Sequence, residues 1–554
     1  MSLKLLKRPL GLFLLLFFMM SPAMAVRDSV KFLAIQNGGR LKPFDTFAKE
    51  SLQLLHGKRS LEGRSAIDVI MTMYMVPDLW ENTKFISIKN LDLKRELKFE
   101  EGQNLFSMKD ILSSTRLRLI IEKLRSREAM KEKLNPYYQA IQKIEGQIFT
   151  YQSIVSGQAL TLVPPKQGES SQWLPVFHST GPFVDLFSKI GSEFAMSVGA
   201  EVKDRKPELD TLKKTPAQAE IDLAQTVSDF SAAARAQNPE LYPKDRDIKI
   251  EVFYNSLQPF MWSWICYLVA GFMFLMFLLS HRKWTKNTAF FFLFAGFLIH
   301  TLGFAFRIYI SGRPPVSNMY ETVIWVAYGA ILFGFIIERI YRHTVVLIGS
   351  CLVAMLCLIL ADLAPAILDP SLQPLEPVLV SNFWLIIHVM TISISYAAFF
   401  LALALGNIGL FFYIRNEEKN KTSINQVTNA IYRCIQIGVV LLAAGIILGG
   451  IWADYSWGRF WGWDPKETWA LIALLGYLAM LHGRLGGWIK NFGMNVWAVV
   501  AFSLVIMAWY GVNFVLGAGL HSYGFGAGGI EYVVGFIVAE IIYVVYAWMM
   551  RGKA

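Results

Sequence analysis

After Pro259 the sequence contains nine apolar runs, near residues 259–280, 289–310, 322–338, 344–366, 383–413, 434–451, 468–486, 495–517 and 531–550. A helix rises about 1.5 Å per residue, so about 20 apolar residues cross a hydrocarbon core about 30 Å thick, and the runs have roughly that length. With 54% hydrophobic residues and a mean hydropathy of +0.40, the chain is too apolar for an ordinary soluble protein. The predicted fold class is an all-α polytopic membrane protein, with about nine transmembrane helices in residues 259–554.

The segment before Pro259 has a different character. Lys4, Lys7 and Arg8 precede an apolar run from Pro9 to Met20, and Ala23-Met24-Ala25 follows. A basic start, a short apolar core and an A-x-A site predict a secretory signal peptide over residues 1–25. The alternative is an uncleaved anchor, for which about 12 apolar residues are short of the ~20 needed. Either way, residues 26–258 are expected outside the cytoplasm as a soluble, mainly helical domain. In VKFLAIQNGGRLKPFDTFAKESLQLL, a strand-like run leads through Gly38-Gly39 into a helix expected to be capped near Asp45 or Thr46. The stretches REAMKEKLNPYYQAIQKIEGQIFTYQ and TPAQAEIDLAQTVSDFSAAARAQ read as long helices.

Charge in the connecting loops agrees with that topology. HRKWTKNT, ERIYRH, RNEEKNKTSINQVTNAIYR, HGRLGGWIKN and RGKA each carry at least two Lys or Arg, whereas LDPSLQPLEPVLVSN carries none. The positive-inside rule puts the first set in the cytoplasm, with Arg313 and nearby Arg307 as an exception on the other side. The net charge of +11 is then a matter of topology, and nucleic acid is set aside as a partner. Cys266, Cys351, Cys357 and Cys434 all fall in or at the ends of predicted membrane helices, which excludes a disulfide framework and an external dithiol. C-x-x-C-H, the spacing that anchors a c-type haem, is absent.

Topology also sorts the histidines. His56 and His178 lie in the soluble region, and His281 and His343 in basic inside loops, where solvation accounts for them. His388 is expected near the outer end of the fifth span and His521 just beyond the outer end of the eighth. His300, near the middle of the second span, and His482, near the inner end of the seventh, are ionisable groups at membrane depth, which marks function by default. The plainer readings are a neutral His300 hydrogen-bonded to a neighbouring helix and an interfacial His482 beside Arg484. The Cys, Asp and Glu neighbours of a zinc site are missing, and paired neutral imidazoles on either face of a planar macrocycle fit haem iron better.

Between the sixth and seventh spans, on the side of His388 and His521, lies WADYSWGRFWGWDPKETW, residues 452–469, with Trp452, Trp457, Trp461, Trp463 and Trp469. Tryptophan collects at membrane boundaries as an anchoring belt. Five in eighteen residues is denser than anchoring requires, Gly458 and Gly462 permit close backbone approach, and Asp454, Asp464, Lys466 and Glu467 add polar contacts. Pro465 followed by Lys-Glu-Thr reads as the entry to the seventh helix, which fixes the loop near its flanking histidines.

WGRFWGWDPKETWALI closely resembles the tryptophan-rich WWD signature of haem-handling membrane proteins in cytochrome c biogenesis. The order His388, WWD loop, His482, His521 resembles the CcsA/ResC type, the membrane subunit of the system II cytochrome c synthase, and Ser317-Asn318-x-Tyr320-Glu321 is similar to that type as well. The resemblance implies a haem lyase acting as part of a complex in the bacterial inner membrane. His388 and His521 would ligate haem b at the outer face, on a shelf of Trp452, Trp457, Trp461, Trp463 and Trp469 held at Asp464. His482 would hold haem on its way out, and His300 is carried over as a further candidate ligand of the iron. The implied partners are apocytochrome c, a CcsB/ResB-like membrane subunit and, indirectly, a thiol reductant system. The expected catalytic residues are His388, His521, Trp457, Trp461, Trp463 and Asp464. Two other functions fit the same residues less fully: a haem carrier that forms no thioether, and a transporter or assembly scaffold without haem.

Overall fold

A computed structural model describes residues 26–130, 134–169, 171–179, 181–198, 215–364, 368–374, 383–516 and 529–551. The predicted signal segment and His521 lie outside the described residues. The chain divides into two compact units. One holds the described residues up to Leu257 together with Ser371–Pro374, and the other holds the remainder from Gln258 onward.

In the N-terminal unit, β1 (Ala34–Asn37) pairs antiparallel with β2 (Arg40–Pro43), Asn37 opposite Arg40. The turn between them needs two left-handed residues, and Gly38 and Gly39 supply φ of 60° and 78°. Helix α1 (Phe44–His56) follows directly, with Pro43 in the capping position and no side-chain cap. Asp45 and Thr46, expected as the cap, sit inside the first turn because their side chains bond helix α2 (Asp245–Leu257). Thr46 donates to Glu251 at 2.7 Å, and Asn255 donates to Asp45 at 2.9 Å. Glu251 also takes both guanidinium ends of Arg40, at 2.9 and 2.6 Å, which ties hairpin, α1 and α2 together. The helical stretch expected from Arg127 is broken: one helix ends at Ala129 and another starts at Pro136, because proline cannot continue a helix but fits its first position.

The second unit is built from helices α3 (Pro259–Ser280), α4 (Lys283–Ser311), α5 (Met319–Tyr341), α6 (Thr344–Leu363), α7 (Phe383–Asn416), α8 (Lys421–Trp457), α9 (Pro465–Leu485), α10 (Asn491–Val500) and α11 (Ile530–Met550). After Val500, α10 runs on through Phe502–Ile506 into a π-helical segment, Met507–Leu516. Among the described residues, nine helices are long and apolar enough to cross a membrane. The expected loop RNEEKNKTSINQVTNAIYR is mostly helix: α7 runs to Asn416 and α8 starts at Lys421.

Helices in lipid associate where small side chains let backbones approach. A Cβ at Gly438 of α8 would lie 2.5 Å from the Phe399 ring of α7, and one at Gly445 would lie 3.0 Å from the Ile392 Cα. At the α3–α4 contact, Gly296 accommodates Tyr267 at 2.8 Å in the same sense. Helix α11 is held differently. Its length is largely exposed, but Glu540 at its centre accepts from Asn407 of α7 at 3.0 Å, and Tyr543 donates to the Asn407 carbonyl at 3.1 Å. At its end, Arg551 pairs with Glu417 at 3.1 Å and lies over the Phe492 ring.

Arg307, the charge that departs from the positive-inside pattern, is 1% exposed, as is its partner Glu321, with the Nη2 to Oε1 distance 2.7 Å. The same guanidinium donates to the Pro370 carbonyl at 3.1 Å and lies over the Tyr320 ring. The other oxygen of Glu321 accepts from the Ser317 N–H at 2.8 Å and hydroxyl at 2.6 Å, while Asn318 caps α5 and donates to the Asp369 carbonyl. Ser317-Asn318-x-Tyr320-Glu321 is thus a structural clasp joining α4, the start of α5 and the chain after α6. Removing one partner of such a pair strands a charge. Arg307→Met or Glu321→Gln alone is expected to cost about 3–5 kcal/mol, and the double replacement by Met and Leu much less. Thermal unfolding of the detergent-solubilised variants checks this ordering.

Candidate functional site

The tryptophan segment is less of a loop than its sequence suggests. Helix α8 continues through Trp452 to Trp457 and ends at Gly458, whose φ of 67° and N–H to the Asp454 carbonyl at 2.8 Å form a left-handed cap. Helix α9 starts at Pro465, leaving only residues 458–464 irregular. The expected boundaries of 452–469 are therefore corrected at both ends. Trp452 is fully buried against Trp457, ring centroids 4.6 Å apart. Trp469 lies on α9, half-buried.

A capping box fixes the return of the chain. Asp464 accepts from the Lys466 N–H at 3.0 Å, and Glu467 reaches back to the N–H groups of Asp464 at 3.2 Å and Gly462 at 2.8 Å. Trp463, just before this cap, takes a φ of 55°, unusual for a bulky residue, and its side chain is 70% exposed. Trp461 stands perpendicular to it at 5.7 Å. Strained backbone at an exposed aromatic is a feature of binding sites, and the cap over-determines it.

His388 meets this end of the bundle through the glycines of α8. Its Nδ1 lies 2.7 Å from the Gly445 carbonyl. A carbonyl only accepts, so Nδ1 carries the proton and the lone pair of the neutral ring is on Nε2, the tautomer that suits a metal ligand. Gly449 makes room for the ring, since a Cβ there would lie 2.5 Å from Cε1. The next residue, Gly450, receives the Phe460 ring, its Cβ position 2.6 Å from that side chain. His388 and the tip of the tryptophan loop thus rest on consecutive glycines. Phe460 was not foreseen as part of the site; the pair Gly449-Gly450 is the sequence signal that could have pointed to it.

The other histidines are placed apart. His482 lies in the last turn of α9, 17 residues from Pro465 and so about 26 Å along the helix. It is exposed, and its Nδ1 faces the Leu478 carbonyl at 2.7 Å, which again leaves the lone pair on Nε2. His300 is fully buried in an aromatic cage: stacked on Phe304, edge-on to Phe260 and Tyr328, with Nδ1 3.2 Å from the Tyr267 hydroxyl of α3. These contacts join α3, α4 and α5 around the imidazole. Among the described residues, no group of three or more His, Cys, Asp or Glu could hold a metal ion, and Cys266, Cys351, Cys357 and Cys434 are buried free thiols. The π-helical segment also faces the site: Asn513 accepts from Lys466 Nζ at 3.4 Å. Such segments recur at functional sites.

A bundle of membrane-length helices carries His388 and the tip of the tryptophan loop on consecutive glycines of α8. The family described as cytochrome C assembly protein matches residues 316–521, a stretch that includes the Ser317–Glu321 clasp, His388, the tryptophan loop and His482, and ends at His521. A cytochrome c biogenesis protein CcsA of Prochlorococcus marinus (strain NATL1A) is 34% identical over 299 residues, covering 46% of this chain and 93% of that protein. A CcsA of Synechococcus sp. (strain CC9902) is 34% identical, covering 41% of this chain and 83% of that protein. Protein NrfI of Wolinella succinogenes is 30% identical over 513 residues, 88% of this chain, although the chain spans only 53% of NrfI. The chain belongs to the CcsA-type family of cytochrome c biogenesis proteins.

The glycine that admits the imidazole gives a direct test of the His388 geometry. Gly449→Ala is expected to push the ring off the Gly445 carbonyl. In histidine-labelled protein, the ¹⁵N signal of the Nδ1–H tautomer, assigned with His388→Ala, should then be lost, while Gly535→Ala on α11, where a Cβ meets nothing within 4 Å, leaves it in place.

Proposed function

We propose that this protein moves haem b across the bacterial inner membrane, presents it at the periplasmic face on the tryptophan loop with His388 and His521 as axial ligands, and promotes its attachment to the C-x-x-C-H cysteines of apocytochrome c. The observation that supports this reading is the His388 imidazole, with its lone pair on Nε2, seated on Gly449 next to Gly450, which receives Phe460 of the loop that carries exposed Trp463. A flat aromatic surface next to an unprotonated ring nitrogen suits a planar macrocycle with a metal at its centre.

The bond to be made is a thioether. A cysteine S–H adds across a vinyl C=C of the porphyrin, the sulfur joining one carbon and the proton ending on the other, with no net oxidation. Little acid–base machinery is then required of the protein. Its contribution is orientation, since holding two reactants in a near-attack geometry is worth up to ~7–11 kcal/mol. In this proposal His388 and His521 fix the plane, Trp457, Trp461 and Trp463 set its rotation, and Asp464 keeps the loop on α9. His482, at the other end of α9, takes haem arriving from the cytoplasmic side. His300, packed among α3, α4 and α5, is a further candidate ligand of the iron on that route. The N-terminal domain following a cleaved segment 1–25 faces the periplasm, and a CcsB/ResB-like subunit completes the complex.

Purified protein is expected to show a Soret band. His388→Ala and His521→Ala should each lower covalent haem on a coexpressed apocytochrome c by about tenfold or more. An unchanged yield of holocytochrome in both variants would remove the ligand assignment, and protein that binds haem but yields no thioether would identify a carrier.

A further inference from the structure

Helix α11 carries a carboxyl group at its middle. Glu540 is ten residues from Ile530 and ten from Met550, so about 15 Å of apolar helix separates it from either end. The less exposed residues of α11, among them Val533, Ile537, Glu540, Val544 and Ala547, recur every three or four positions, and this face packs on α7 and α10. Glu540 meets one polar group there, the Asn407 amide of α7, whose Nδ2 donates to Oε1 at 3.0 Å. The other end of that amide is stranded. Asn407 Oδ1 is buried and makes no hydrogen bond among the described residues, while Tyr543, one turn along from Glu540, donates to the Asn407 backbone carbonyl instead.

The helices around Glu540 bring it no cation. On α7 the ionisable groups are His388, Tyr396, Tyr413 and Arg415, and Arg415 is eight residues along the helix from Asn407. From Asn491 to Leu516 there is only Tyr510. On α11 itself there are Glu531, Tyr532, Tyr543 and Tyr546, with Arg551 eleven residues away and paired with Glu417. An ionised carboxylate at that depth, bonded to a neutral amide alone, would be both desolvated and unpaired, and a group so placed takes up a proton. The proton also completes the contact. A carboxylic acid offers an acceptor and a donor on one carbon, and an amide offers the matching donor and acceptor on another. The last side-chain torsion of a glutamate is soft, so the second carboxyl oxygen can turn to Asn407 Oδ1.

We infer that Glu540 is a proton-binding site within the membrane span: as the carboxylic acid it accepts from Asn407 Nδ2 through one oxygen and donates to Asn407 Oδ1 through the other, and this two-bond pair fastens α11 to α7. Release of the proton to water leaves a carboxylate facing an amide oxygen, and the middle of α11 loses its hold on the bundle. The site stands apart from the tryptophan loop and does not depend on the haem reading.

Infrared spectroscopy of the full-length protein in detergent tests the protonation. At neutral pH, the spectrum of wild type minus that of Glu540→Gln is expected to show the C=O stretch of a protonated carboxylic acid, moved to lower frequency in heavy water, with no loss of carboxylate bands. Asn407→Leu should keep that band and move it to higher frequency, because its hydrogen bond is gone. Thermal unfolding tests the fastening. A glutamine amide can also accept from and donate to Asn407, so Glu540→Gln should unfold close to wild type. Glu540→Ala and Asn407→Ala should each lower the midpoint by several degrees, and the double variant by no more than either alone, since the partners form one contact. Carboxylate bands in place of the acid band, an acid band that Asn407→Leu leaves unmoved, or a Glu540→Gln midpoint as low as that of Glu540→Ala would each overturn the inference.

Discussion

The close approach of α7 and α8 is the contact on which the site depends. Lipid offers no hydrophobic drive for two apolar helices to meet, so their association rests on packing, and packing at this distance requires residues without side chains. Gly438, Gly445 and Gly449 on α8 provide it in succession, against Phe399, Ile392 and His388 of α7. The same seam positions both a backbone carbonyl and a ring. Gly445 offers its carbonyl to the imidazole, and Gly449 leaves the space in which the ring lies. Structural packing and the chemical state of His388 are therefore one arrangement.

Several polar side chains inside the bundle are matched to partners as they are buried. Arg307 and Glu321 satisfy one another and then a carbonyl, a hydroxyl and an amide N–H, so that almost no polar atom of the pair depends on lipid. Asn495 spans from the Asn491 carbonyl to Thr428 of α8 in the same way.

The helical spans were legible in the sequence because an apolar run of about 20 residues has few other outcomes. The ends of those spans were not. Charged and polar residues such as Lys421, Thr422 and Gln426 look like a loop by hydropathy, yet they form the first turns of α8, which extend past the apolar region. At the other end of α8, Trp452 and Trp457 belong to the helix, and only residues 458–464 are irregular. His388 stood out by its depth and side of the membrane, but its tautomer depends on a carbonyl 57 positions away, which no local pattern records. The clasp at Ser317–Glu321 was visible as a motif and Arg307 as a misplaced charge; that they explain one another required the fold.

Helix α11 shows how little a membrane helix needs in order to be specified. It is fastened at Glu540 and Tyr543 to Asn407, and at Arg551 to Glu417 and Phe492, with most of the surface between exposed. Its identity therefore resides in points rather than in a face. Exchange among Val, Ile, Leu and Phe along the exposed side is nearly neutral, so this helix is free to drift in sequence, and its lipid-facing composition is open to tuning for bilayers of different thickness without disturbing the bundle it borders.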